Sequence, residues 1–181
     1  MLTPIRKTIE VPWDPGRAFR RFTREIGAWW PLRSHSVGQE RAETVVFEEG
    51  VGGRIVEKIR GGEECTWGTV TAWDPPRSVS FTWHPGDDRA RATQIDVTFE
   101  PVPGGTRLVL VHSRWETLGA LGKMARRGYP IGWAYVLRLW ADRRSSPVVR
   151  GLDVLQNLLG PLQRRVAERL ERKAQRAVQP G

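Results

Sequence analysis

The groups in this chain able to do chemistry are few and scattered. They are His35, His84, His112, the single cysteine Cys65, and the carboxylates Glu57, Glu64, Asp96, Glu100 and Glu116. General acid–base work needs an imidazole or carboxylate that converges on a cavity with a shifted pKa. The five carboxylates show no recognisable pairing, and most alternate onto polar strand faces, so no catalytic residue is assigned. His112 stands in register with Leu108 and Leu110 on an apolar strand face. It reads either as a polar group inside a cavity, titrating near neutrality, or as a core histidine satisfied by a neighbouring hydroxyl or carbonyl. His84 belongs to the turn Trp83-His84-Pro85-Gly86 and reads as structural or solvent-facing, and His35 falls in a polar loop. No His/Cys/Asp/Glu spacing matches a metal centre, so neither a metal nor a cofactor is expected. Cys65 lacks the histidine context that would activate a nucleophile and reads as an inert thiol. No Walker loop, dinucleotide fingerprint or Gly-x-Ser-x-Gly is present. Gly50 to Gly53 and Gly61-Gly62 sit at strand ends, where hairpin turns explain them.

The elements that must position these groups follow from periodicity. Tyr129, Trp133, Val136, Leu137 and Trp140 recur at the spacing of one helical face. A helix over about 131–142 is predicted, with Pro130 in its first turn. Upstream, Thr8 to Val11 reads as a strand, and Asp14-Pro15 caps a short helix to about Thr23 with Ala18, Phe19 and Phe22 buried. A short helix or turn, Arg24 to Trp29, stops at Trp30-Pro31. Six strands follow: 43–49, 54–59, 65–73, 78–83, 93–100 and 106–113. In the third, Cys65, Trp67, Thr69, Thr71 and Trp73 are expected on one face. In the next two, Val79, Phe81 and Trp83, then Thr93, Ile95, Val97 and Phe99, share a face. Short, turn-rich connections predict antiparallel neighbours. The long helix is the element large enough to cover the apolar face of such a sheet.

The chain divides near Pro147. Residues 1–142 form the expected body, and residues 143–181 form a basic amphipathic extension. That extension carries nine Arg and Lys against three acids, out of a net charge of +9 for the whole chain. Val148, Leu152, Leu155, Leu159, Leu162, Val166 and Leu170 make a narrow helical stripe over 148–176, which Gly160-Pro161 is expected to split. The body's charge gives no case for nucleic acid. The stripe predicts docking on the body or on a second protomer, hence a possible homodimer through the tail. An anionic membrane surface is the less favoured partner. No apolar run approaches the roughly 18 residues of a membrane span. The start resembles no signal peptide, and the lone cysteine makes no internal disulfide, so a cytoplasmic setting is expected.

Several stretches resemble one known family. They are Phe19-Arg20-Arg21-Phe22-Thr23 with Ile26 and Trp29-Trp30-Pro31, and Val46-Phe47-Glu48-Glu49-Gly50. Trp67-Gly68-Thr69-Val70, Trp73-Asp74-Pro75-Pro76 and Phe81-Thr82-Trp83-His84-Pro85-Gly86 continue the series. His112-Ser113-Arg114-Trp115-Glu116 and Tyr129 with Gly132-Trp133 complete it. Over residues 5–142 the chain is similar to the family named for the activator of Hsp90 ATPase, homologue 1-like, within the START-like, Bet v 1-like superfamily. The resemblance implies an α+β helix-grip fold: a curved antiparallel sheet of six to seven strands around a long C-terminal helix, with a cavity between them. The wider superfamily includes lipid carriers, hormone receptors, polyketide cyclases and aromatases.

Nine tryptophans then take on meaning. They either line a cavity or simply fill the core. Alternation places Trp67, Phe81, Trp83, Ile95, Val97, Leu110, His112, Tyr129 and Trp133 toward the expected cavity, and these are the candidate ligand-binding residues. Trp115 and Trp140 also suit the wall, and Trp29-Trp30-Pro31 its mouth. The expected function is binding of a small hydrophobic or aromatic molecule without required catalysis. A polyketide cyclase or aromatase-like enzyme is the alternative, and a co-chaperone or interaction module using the basic tail is the third.

Overall fold

Seven strands build one antiparallel sheet. The computed structural model describes residues 2–141, so the predicted tail helices and their dimer or membrane contacts lie outside the described residues. The strands are β1 (Ile5–Val11), β2 (Ala42–Phe47), β3 (Arg54–Ile59), β4 (Glu63–Asp74), β5 (Ser78–Trp83), β6 (Thr93–Val102) and β7 (Gly105–Ser113). They lie in the order β1-β7-β6-β5-β4-β3-β2. The chain thus meanders from β2 to β7, and β1 closes on β7 with Ile5 opposite His112 and Val11 opposite Thr106. The curled sheet grips a long C-terminal helix, as the helix-grip resemblance implied.

β5 and β6 follow strict alternation, and Val79, Phe81, Trp83, Thr93, Ile95, Val97 and Phe99 are all buried. β4 does not. Val56 faces Thr66 and Ile55 faces Gly68, which leaves Trp67 between two pairs. Val70 faces Phe81 and Ala72 faces Ser80, which leaves Thr71 unpaired in the same way. Each extra residue resets the alternation. Trp67 and Val70 are buried while Thr71 is exposed, so the single face expected from Cys65 to Trp73 is broken. Between the two bulges Gly68 passes against β5. A Cβ there would stand 1.9 Å from the Thr82 carbonyl oxygen, so only glycine permits this approach.

Helix α1 (Pro15–Phe22) starts as the sequence indicates, with the Asp14 side chain accepting from the Arg17 amide at 2.9 Å. Its buried Ala18, Phe19 and Phe22 point at the sheet, where Phe19 and Phe22 meet Phe99 at 5.4 and 5.8 Å between ring centres. The short α2 (Ile26–Trp29) buries Ile26 and Trp29. Helix α3 runs from Gly122 to Trp140, nine residues longer at its start than the aromatic face indicated, and Pro130 lies inside it. Lys123 to Arg127 are good helix formers. The proline removes one donor to the Arg126 carbonyl without ending the helix. At the other end, Arg21 Nε donates to the Trp140 carbonyl at 2.7 Å, a cation placed where the helix dipole favours one.

Candidate functional site

Near the end of β7, between β1 and β6, His112 points inward and is fully buried. The Trp133 indole, from α3, donates to its Nδ1 at 3.0 Å. On the other side Thr93 Oγ1 lies 2.8 Å from Nε2 and 2.9 Å from the Trp83 carbonyl oxygen. A carbonyl can only accept, so the threonine hydroxyl donates to Trp83 and accepts from the imidazole. His112 is therefore neutral and protonated on Nε2. Burial lowers its pKa to about 3. Of the two readings of this histidine, the satisfied core residue fits the geometry, and titration near neutrality does not.

Around this relay the tryptophans meet face and edge. Trp30 lies 5.3 Å from Trp67, 5.8 Å from Trp83 and 6.2 Å from Trp133 between ring centres. Trp67 and Trp83 stand 5.6 Å apart, and Trp83 and Trp133 5.9 Å. The candidate residues do converge on the concave face. Trp67, Phe81, Ile95, Val97, Leu110, His112 and Trp133 are nevertheless packed against one another and closed to solvent. Trp30 fills the space beneath the bend rather than guarding its mouth.

A second buried polar group is Glu57, which the sequence offered as a carboxylate without placing it inside. Glu57 sits between Ile55 and Ile59 on the inward face of β3 and is fully buried. Its Oε2 accepts from the Val37 amide and the Trp67 indole, each at 2.9 Å, and its Oε1 from the Gly38 amide at 2.8 Å. A Cβ on Gly38 would stand 2.9 Å from that Oε1. The carboxylate therefore fastens the loop over 31–41 to the sheet. The flanking isoleucines carried the signal that Glu57 points inward. Its partners, distant in sequence, carried none.

Open space lies further along. A pocket of about 220 Å³ opens between the end of β5, the 3-10 stretch Trp115–Leu121 and the first half of α3. Trp83, Leu118, Leu121, Met124, Ala125 and Tyr129 give it an apolar wall. His84, Pro85, Asp87, Arg91 and Thr93 form its polar side. Trp83 and Tyr129 are the two candidate residues that line it, joined by a 3.1 Å bond from the Trp83 indole to the Tyr129 oxygen. Burial raises the Tyr129 pKa, which keeps the phenol protonated. Arg91 pairs with Asp87 at 3.2 Å on the rim. His84, expected in the turn, is buried there and donates from Nδ1 to the Asp87 carbonyl at 3.3 Å. Leu118, Leu121 and Met124 could not be read as lining, because the helix they precede or begin was expected to start later.

The remaining candidates stay apart from this site. Cys65 is half-buried, and burial raises its thiol pKa, away from a reactive thiolate. Glu64 is exposed and pairs with Lys58 and Arg54. Among the described residues no cluster of three His, Cys, Asp or Glu side chains stands at metal-binding range.

Residues 12–139 match the family model for activator of Hsp90 ATPase homolog 1-like proteins. The chain belongs to that family. Solved structures share the fold of this activator-of-Hsp90-ATPase-like chain. The anthrahydroquino-γ-pyrone synthase Txn09 is 30% identical, with 71% of this chain and 87% of that chain covered and a TM-score of 0.51. The Aha1 dimer from Colwellia psychrerythraea is 20% identical over 78% of this chain and 95% of that chain, at a TM-score of 0.56. Protein BH1534 from Bacillus halodurans is 17% identical over 78% and 96%, at 0.57. Among curated proteins nothing matches the chain. No described helix is long and apolar enough to cross a membrane.

Proposed function

We propose that this family member binds a small hydrophobic or aromatic molecule in the pocket between the end of β5 and the first half of α3. The observation that carries the reading is the apolar wall of Trp83, Leu118, Leu121, Met124 and Tyr129 around about 220 Å³ of open space. A buried apolar cavity of roughly 150 Å³ is enough to hold benzene, so a ligand of one or two rings suits this volume. Burial at about 25 cal/mol per Å² supplies the affinity, less the entropy of binding. The lone cysteine supports a reducing, cytoplasmic setting for this activity.

A second reading is an enzyme of the cyclase or aromatase kind. It is supported by the 30% identity to the pyrone synthase Txn09. Asp87, Arg91 and Tyr129 are the polar groups that could meet a substrate in the same pocket.

Isothermal titration with naphthalene-sized aromatic and short fatty probes tests the first reading. Saturable binding is expected, returned unchanged after incubation. Met124 is 55% exposed, so Met124→Trp should fill the pocket and weaken binding without lowering the melting temperature. A probe chemically converted would decide for the enzyme. No saturation with any probe class would overturn ligand binding.

A further inference from the structure

The polar side of the pocket holds a donor that the fold leaves unused. Tyr129 accepts from the Trp83 indole at 3.1 Å, and an indole N–H can only donate. The phenol's own hydrogen is therefore free for another acceptor, and no acceptor among the described residues takes it. Both partners of that bond line the pocket, which brings this unused donor to its wall. Burial of the phenol, helped by the nearby charge of Asp87, holds it in its protonated, donating form. Thr93, the next hydroxyl along the wall, has no such freedom, because its hydrogen is committed to the Trp83 carbonyl. The wall thus offers a flat apolar surface with one directed donor on it.

We propose that the pocket selects aromatic ligands bearing a ring carbonyl, with the Tyr129 hydroxyl donating to the carbonyl oxygen while the ring lies against Trp83. This inference rests on the proposed ligand-binding role and names the ligand's chemistry. An apolar ring without an acceptor is held by burial alone and leaves the phenol unsatisfied, which costs affinity. A ring carrying an acceptor in the right place completes the chain from Trp83 through Tyr129 to the ligand.

The test is a pair of probes that differ only in the carbonyl, 1-indanone and indane, titrated by NMR with the Trp83 indole resonance as the reporter. The wild-type protein is expected to bind 1-indanone about three- to tenfold more tightly than indane, the range of one neutral hydrogen bond. In Tyr129→Phe that preference should vanish while the indane affinity stays within about twofold, since the ring surface is unchanged. Equal affinities in the wild type, or a preference that survives in Tyr129→Phe, would overturn the carbonyl inference and leave ligand binding standing. If neither probe moves the Trp83 resonance, the pocket is not a ligand site, and this inference falls with the function proposed above.

Discussion

The two ends of the groove between α3 and the sheet are filled differently. At the end near Trp140, Phe19 and Phe22 of α1 close on Phe99, Phe22 also meets Trp140, and Trp29 of α2 packs on Phe22. Trp140 is completely buried there. At the end near Tyr129 no helix among the described residues stands between α3 and the sheet; a 3-10 stretch and the turn after β5 surround open space instead. Leu121 and Met124 are 46% and 55% exposed. One helix on one sheet thus carries both a finished core and an unfinished one. On the function proposed above, stability belongs to the first and binding to the second.

Substitutions should separate these roles. The largest effect is expected for Trp140→Ala at the filled end, which should destabilise the protein by about 3–5 kcal/mol in denaturant unfolding. An effect as small as that of a surface change would mean that the filled end is not the stable one.

Acid comes next, acting at the middle of the groove. The folded pKa of His112 is about 3 and that of His35 about 4, both lowered by burial. The unfolded chain therefore binds more protons between about pH 6.5 and these values. Stability should be fully present above about pH 6.5 and fall as the pH drops toward 3. His112→Gln should flatten that slope, whatever it does to stability at neutral pH. A wild-type curve that stays level down to pH 4 would contradict the neutral imidazole.

Glu57→Gln should cost about 1–3 kcal/mol, because an amide offers one oxygen to three donors. Amide exchange should quicken at Val37 and Gly38 before it does in β6. The smallest effect on folding is expected for Leu121→Ala, within roughly 0.5 kcal/mol as for an exposed side chain, yet it should measurably weaken probe binding. If it costs stability and spares binding, the assignment of roles to the two ends is reversed.

Much of this arrangement was readable beforehand, and the unread parts have physical reasons. β5, β6 and β7 were legible because nothing interrupts their period of two. β4 was not, since the two unpaired residues, Trp67 and Thr71, shift the face without changing composition. The aromatic half of α3 announced itself through Tyr129, Trp133 and Trp140. Its first half, Gly122 to Gly128, is polar and glycine-bounded, and Pro130 looks like a beginning. Met124 and Ala125 of the pocket come from that hidden half, and Leu118 and Leu121 from the 3-10 stretch before it. Of the nine candidate residues, Trp83 and Tyr129 line the pocket, because they sit where the legible core ends. Glu57 had an inward address but no visible correspondent, because Val37 and Gly38 meet it only through the fold.

The hydrogen bonds through His112 have one further consequence. At one end of the chain stands an indole that can give a hydrogen but never take one, and at the other a carbonyl that can take but never give. Every hydrogen between them is oriented in a single sense. A proton wire needs the opposite property: each link must be able to reverse after the proton has passed. Here the Trp133 end cannot reverse, so the row of polar groups at the heart of the protein works as an insulator. A proton taken up at the pocket is therefore not relayed through this buried row.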